Sequence, residues 1–348
     1  MFDLADLSVP IIAAPMAGGP STPDLVVSVG EAGGLGFLAG GYKTPEALGE
    51  QIQDVRARTG TAFGVNVFVP QRNEYDQAAV QEYRNRLRAA AQRYGIDLPP
   101  IRERDDDWFE AKVELLVAQR VPVVSLTFGL PSVETVRRLR GAGCTVIATV
   151  TTPAEARAAV DAGVGALCLQ GPEGGGHRAT FRVEDEPETT PLTGLLDEIA
   201  AWSPLPVVAA GGIGDGARIA ELLTHGATAV QLGTAFLRSP ESGAKAAHKD
   251  ALVDPRFTRT VVTRAFSGRP ARGLANEFIA GYDAGAPAAY PQVHHLTSPV
   301  RAAAAAGGVP DDMALWAGTA YRTAAADPAA VVLGRLWDEA VAHGAPRR

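Results

Sequence analysis

Residues Cys144-Thr145-Val146-Ile147-Ala148-Thr149-Val150 run directly into Thr151-Thr152-Pro153-Ala154-Glu155. The first seven are largely apolar and do not alternate. That is the pattern of a strand covered on both faces, as in a parallel sheet. The residues that follow open a helix, with Thr152 as hydroxyl cap, Pro153 at the first helical position and Glu155 in the first turn. A strand delivered straight into a capped helix is one β/α unit. Working outward, similar runs occur at Pro10–Met16, Gly34–Ala39, Phe63–Val69, Val121–Phe128, Ala166–Gln170, Pro206–Ala210 and Ala229–Leu232. Thr44-Pro45-Glu46 repeats the cap, and Ser132–Arg140 and Asp215–His225 follow the same scheme. With the opening stretch the runs number eight, which predicts an α/β chain folded as a (β/α)8 TIM barrel.

Two stretches exceed the repeat. Arg72–Gln119 is charged and helical in pattern, and lengthens the third crossover. Residues after about Ser239 outrun the last barrel helix. The predicted organisation is a barrel over 1–239, a small, mostly helical insertion or lid over 240–308, and C-terminal helices over 309–348 that pack back on the barrel. Asp312–Gly344 reads as a closing helix anchored by Trp316 and Trp337, and the run Ala302–Ala306 as helix surface.

Composition narrows the function. The 348 residues are 46% hydrophobic and 20% charged, enough apolar material for a large core. A net charge of -7 disfavours a nucleic-acid surface. Two cysteines, Cys144 and Cys168, exclude a disulfide-rich scaffold. No run approaches the ~20 apolar residues of a membrane span. The acidic start Met1-Phe2-Asp3-Leu4 lacks the basic region of a signal peptide, so the expected location is cytoplasmic. No histidine or cysteine spacing suggests a metal site, adjacent His294 and His295 included. Gly34-Leu35-Gly36-Phe37-Leu38-Ala39 matches the dinucleotide fingerprint G-x-G-x-x-A. Here it forms the strand instead of following one, and is rejected as a fingerprint.

In such barrels chemistry sits at the C-terminal ends of the strands. The first strand ends Ala14-Pro15-Met16-Ala17-Gly18-Gly19, small residues that admit a flat ligand or simply make a tight turn. Asn66, in the third, offers a carboxamide to a heterocycle edge or to nearby backbone. Ser125 and Thr127, on one side of the fourth, line the mouth or satisfy local backbone. The sixth ends Gln170-Gly171-Pro172-Glu173-Gly174-Gly175-Gly176-His177-Arg178. Almost all bulk is removed before one imidazole, which makes His177 the natural acid or base, against the alternative of a flexible loop with an incidental histidine. The seventh ends Ala209-Ala210-Gly211-Gly212-Ile213 and the eighth Gln231-Leu232-Gly233-Thr234. Glycines after these two strands leave amides exposed beside a helix start, the usual phosphate site of (β/α)8 enzymes.

These blocks, with Phe266-Ser267-Gly268-Arg269-Pro270-Ala271-Arg272-Gly273 and Leu315-Trp316-Ala317-Gly318, resemble the flavin-dependent nitronate monooxygenases, formerly 2-nitropropane dioxygenases, over nearly the whole chain. The resemblance implies FMN at the barrel mouth, oxidation of alkyl nitronates by O2 to a carbonyl compound and nitrite, and detoxification of propionate 3-nitronate. It places Ala14, Pro15, Met16 and Asn66 against the ring system and Gln170, Gly175 and Gly176 along it. Gly211, Gly212, Gln231, Gly233 and Thr234 would stand at the phosphate end, and His177 in the catalytic position. That histidine would abstract a proton from neutral nitroalkanes and, when protonated, hold the bound anion. Thr127 and Tyr290 are candidate substrate contacts. The partners implied are a small nitronate and O2, with the protein a monomer or homodimer. Departures from the family pattern stand at Ala13, Thr127, Gly174, Ala179 and Thr319. The rival readings are a flavin-dependent enoyl-acyl-carrier-protein reductase, an inosine-monophosphate-dehydrogenase-like or phosphosugar barrel, and a non-enzymatic flavin or nucleotide sensor.

Overall fold

Eight parallel strands close into a barrel in the computed structural model, which describes residues 1–71 and 74–346. Arg72, at the head of the predicted long crossover, and residues 347–348 lie outside the described residues. In chain order the strands are β1 (Ile11–Ala13), β2 (Leu35–Ala39), β3 (Gly64–Phe68), β4 (Val123–Thr127), β5 (Thr145–Val150), β6 (Ala166–Gln170), the two-residue β7 (Gly176–His177) outside the barrel, β8 (Val207–Ala210) and β9 (Ala229–Leu232). Pairing of β1 with β9, Ile12 opposite Gln231, closes the cylinder. Each of the eight apolar runs holds one barrel strand.

Alternation along each strand divides the core in two. Val146, Ala148 and Val150 of β5 join the large layer beneath the helices, while Ile147 turns inward. The interior is filled by Ile12, Phe37, Val123, Ile147, Cys168 and Val208, with Leu4 and Leu7 closing the N-terminal end. This leaves the C-terminal mouth as the open one.

The helix starts form as their residues dictate. In α2 (Pro45–Arg58), α5 (Val133–Gly141), α6 (Pro153–Asp161) and α8 (Gly216–Thr224), the side chains of Thr44, Ser132, Thr152 and Asp215 accept from the amides of Ala47, Thr135, Glu155 and Arg218. Glu155 returns the bond to the Thr151 amide at 2.6 Å, completing a capping box displaced by one residue.

The added segments differ from their predicted form. The third crossover splits into α3 (Gln77–Arg93) and α4 (Phe109–Ala118). Residues 240–308 hold α9 (Ala246–Ala251), α10 (Glu277–Tyr282) and α11 (Gln292–Ala306), but also a hairpin, β10 (Thr260–Thr263) and β11 (Ala271–Leu274). The β-branched run Thr260-Val261-Val262-Thr263 carries a strand signal. Its partner, which follows Pro270 and contains Gly273, is masked by these turn formers. The predicted closing helix is shorter: α12 covers only Ala329–Ala342, starting directly after Pro328. Trp316 lies upstream in extended chain, bridged to Gly273, and Trp337 packs on the main core. The two added segments share a core of their own, in which Val80, Tyr83 and Leu87 of α3 meet Phe266, Phe278, Val293 and Leu296.

The glycines of the false dinucleotide fingerprint serve packing. A Cβ on Gly36 would stand 2.6 Å from the Cα of Val26 in α1 (Pro23–Glu31), and one on Gly34 would stand 2.7 Å from the Ile11 carbonyl. We expect Gly36→Ala to cost about 1–3 kcal/mol, as overpacking does, and to lower the thermal unfolding midpoint by several degrees. An unchanged midpoint would contradict this backbone contact.

Candidate active site

The C-terminal ends of the barrel strands open on one cavity of about 480 Å³. Its walls include Ala14, Pro15 and Met16 after β1, Asn66 of β3, Thr127 of β4, and Gln170, Gly175, Gly176 and His177 of β6 and its loop. Gly211 and Gly212 follow β8, and Gln231, Gly233 and Thr234 close the circuit at β9. Thus the candidate site residues named from the sequence lie on this one wall, except Tyr290 and Ser125, the latter accepting from Asn66 instead. The Tyr290 ring stands 5.8 Å from that of His177 and its hydroxyl donates to Tyr42 at 3.1 Å, so it backs the histidine without lining the cavity.

His177 is not on a loose loop. Gly176 and His177 pair antiparallel with Arg272 and Ala271 of β11, and the next amide, Arg178, donates to the Pro270 carbonyl at 2.8 Å. The Gln170 side chain closes the loop from below. It donates to the His177 carbonyl at 2.9 Å and accepts from the Ala179 amide at 2.9 Å. Both ends of this carboxamide are engaged, so it acts as a clasp, although it also faces the cavity. Glu155 ties the tail of the loop to α6 by accepting from the Phe181 amide at 2.7 Å.

The proton inventory of His177 follows from its partner. The Ser267 hydroxyl donates to the Arg269 carbonyl at 3.1 Å and lies 2.9 Å from His177 Nε2. A hydroxyl has one hydrogen, so Nε2–H donates to it, and Nδ1 carries the free lone pair. Burial, then the charges of Arg269 and Arg301, push the imidazole down to about 3. The side chain is therefore neutral at neutral pH. In that form it can accept a proton and carries no charge of its own toward an anion. A frame of rings fixes the imidazole, with Phe128 at 5.6 Å and Trp316 at 5.5 Å. Trp316 is itself held by buried His248, whose Nε2 lies 3.0 Å from its carbonyl.

After β8 and β9 the cavity wall is backbone. Gly211 and Gly212 adopt φ of 113° and 67°, and a Cβ on Gly212 would meet Glu173 Cβ at 2.6 Å. At Gly233 a Cβ would make only ordinary contacts, 3.5 Å to Ala14 and Met16. The surrounding protein therefore does not force glycine there, and a Cβ would instead narrow the cavity. The α8 start is satisfied by its Asp215 cap. Among the described residues, the amides of Gly212, Ile213, Thr234 and Ala235 donate to no protein group, while that of Phe236 donates to the Gly233 carbonyl at 3.0 Å. Thr234 Oγ1 accepts from the Gly318 amide at 3.0 Å and keeps its own proton to donate. Asn66 spends its amide hydrogens on Ser125 and on Thr127, the latter at 2.9 Å, leaving Oδ1 as an acceptor.

Several wall residues were not anticipated. Tyr42 follows β2, a strand end passed over in the sequence for want of a titratable group or glycine motif. His294, Arg301, Ala302 and Ala305 come from α11, in a segment whose contacts sequence does not reveal. Among the described residues, no Asp or Glu lines the cavity, although the whole chain is acidic. Among the described residues, no group of three or more His, Cys, Asp or Glu side chains is placed to hold a metal ion. No described helix is long and apolar enough to cross a membrane.

A family profile described as nitronate monooxygenase matches residues 2–338. A probable nitronate monooxygenase of Staphylococcus aureus (strain Newman) is 36% identical over 337 residues, 96% of this chain and 94% of that protein. Among solved structures, the nitroalkane oxidase from Streptomyces ansochromogenes superposes with a TM-score of 0.95 at 48% identity, covering 98% of both chains. FabK from Thermotoga maritima is more distant, with a TM-score of 0.76 at 27% identity, covering 98% of this chain and 95% of that one.

The buried histidines make the fold acid-sensitive. Burial holds His248 down to about 4, against an ordinary value of 6.5. The unfolded chain then binds more protons than the folded one between these values, so stability is present above pH 6.5 and is lost as pH falls toward 4. The slope reaches at most about 1.4 kcal/mol per pH unit for each such histidine. The unfolding midpoint should fall between pH 7 and pH 5, and His248→Gln, which keeps a donor for the Trp316 carbonyl, should flatten that fall. An identical slope in the variant would contradict the assignment.

Proposed function

Because the chain belongs to the nitronate monooxygenase family, we propose that it oxidises alkyl nitronates with O2 to a carbonyl compound and nitrite, using FMN held at the barrel mouth. The observation that carries this reading is a neutral imidazole, lone pair on Nδ1, lining the same cavity as the amides of Gly212, Ile213 and Thr234, which among the described residues have no protein acceptor. Propionate 3-nitronate is the substrate the family resemblance favours, and its removal is then a detoxification.

The residues present fit the cofactor. Gly233 leaves room that a Cβ would take, and the amides of Gly212, Ile213 and Thr234 with the Thr234 hydroxyl suit a phosphate. Asn66 Oδ1 offers an acceptor for a ring N–H, while Ala14, Pro15, Met16 and Gly175 give a flat, side-chain-poor seat. Gly211, Gly176 and Gln231 complete the lining. When bound, the flavin supplies the acceptor for substrate electrons and the place where O2 is reduced.

The chain's own residues bind, orient and move a proton. His177 Nδ1 takes the α-proton of a neutral nitroalkane, while Ser267 holds Nε2–H and so fixes the tautomer. A nitronate has already lost that proton and needs no base. Thr127 faces the substrate from β4, and Tyr290 buttresses His177 from behind. Phe128 and Trp316 exclude water from the imidazole.

His177→Asn should lower kcat/KM for neutral nitroalkanes by about 10²–10⁴-fold, the usual worth of a general base. Nitronates should lose far less, and flavin content should be unchanged. Equal losses on both substrate forms, measured by steady-state oxygen uptake, would refute the proton-abstraction role.

A further inference from the structure

Among the described residues, two cations on the cavity wall have no counter-ion, the exposed Lys245 and the more deeply placed Arg301. Helix α11 turns His294, Ser298, Arg301, Ala302 and Ala305 toward the cavity, residues that recur on one helical face. Arg301 folds back on its own helix, where Nε donates to Thr297 Oγ1 at 3.1 Å and Nη2 to Ser298 Oγ at 2.8 Å and to the His294 carbonyl at 3.1 Å. Nη2 also lies 3.2 Å from His294 Nδ1. Among the described residues, Nη1 donates to nothing and no carboxylate pairs with this side chain. The groups that bear on its charge are the phenols of Tyr42 and Tyr290.

That arrangement is costly unless a ligand completes it. A guanidinium keeps its charge, and a buried charge without a partner destabilises the fold. Arg269 differs. It lies 4.1 Å over the Phe128 ring, bonds to the Thr180 carbonyl at 2.7 Å and to Gln71 Oε1 at 2.8 Å, and stays behind the wall. Beside Arg301 stands a second donor. Tyr42 stacks on His294 at 4.1 Å and accepts from Tyr290, so its own hydroxyl hydrogen has no acceptor among the described residues. Burial keeps that phenol protonated, pushed up to about 12.

We propose that Arg301, through Nη1 and with the Tyr42 hydroxyl, binds a carboxylate on the substrate at the end remote from the nitronate group. The enzyme would then select nitronates that carry a second anionic group. This rests on the nitronate reading of the same cavity and adds the residue that sets specificity within it.

The test uses the holoenzyme and its Arg301→Met and Arg301→Lys variants, with flavin content and unfolding midpoint as controls. Two substrates are compared, propionate 3-nitronate and ethyl nitronate, which lacks the carboxylate. Arg301→Met should lower kcat/KM for the first by roughly 10- to 150-fold, the equivalent of one hydrogen bond to a charged group, chiefly through KM. Ethyl nitronate should be little affected, and Arg301→Lys should recover part of the loss. Equal losses on both substrates, or none, would overturn the proposal. Calorimetric binding of propionate against propionamide separates this inference from the function it builds on. Wild type should prefer propionate and Arg301→Met should not. A preference that persists in the variant overturns the carboxylate site. Failure of wild type to oxidise any nitronate, with the Arg301-dependent preference intact, overturns only the functional reading.

Discussion

The antiparallel pairing of Gly176–His177 with Ala271–Arg272 holds the site together. A barrel rim supplies backbone amides and small residues, but a glycine-rich loop has no means of fixing an imidazole to within hydrogen-bond tolerance. The hairpin supplies it. A two-stranded hairpin is marginal by itself, and this one is supported by the second core, in which α3 and α11 pack with Phe266 and Phe278. The dependency therefore runs from α3 and α11 to the hairpin, from the hairpin to β7, and from β7 to the orientation of His177. The Gln170 clasp and the Glu155 tie act from the barrel side of the same loop.

The electrostatics follow from that closure. Bringing the added segment over the mouth buries His177 beside Arg269 and Arg301, which keeps the imidazole neutral. It also gives an acidic protein a cavity with no Asp or Glu, among the described residues, on its wall. Long-range charge repels anions from this chain, so an anionic substrate is captured by local donors in a low-dielectric setting, where each is worth more than at the surface.

Much of this was legible in the sequence, and the reason is periodicity. Non-alternating runs such as Cys144–Val150, followed by caps such as Thr152-Pro153, allow few folds besides the closed parallel barrel. The strand ends then named the rim residues from Ala14 to Thr234 by position alone. What stayed hidden depends on contacts between distant segments. Tyr42 and Arg301 carry no local signature; the first adopts φ of 66° on a wall that α11 completes, and the second is one arginine among many until the helix is docked. The hairpin was missed because one strand follows Pro270 and contains Gly273, turn residues that only tertiary pairing overrides. The predicted closing helix failed for a simpler reason, since Gly318 and Pro328 interrupt it.

The absorption spectrum of the purified protein, taken before and after anaerobic addition of an alkyl nitronate and, separately, of NAD(P)H, bears most directly on whether a flavin sits opposite His177. The geometry leads us to expect a yellow protein with about one flavin per chain, bleached by the nitronate and not by the nicotinamide. A colourless protein, or one bleached by NAD(P)H and indifferent to nitronate, would contradict it.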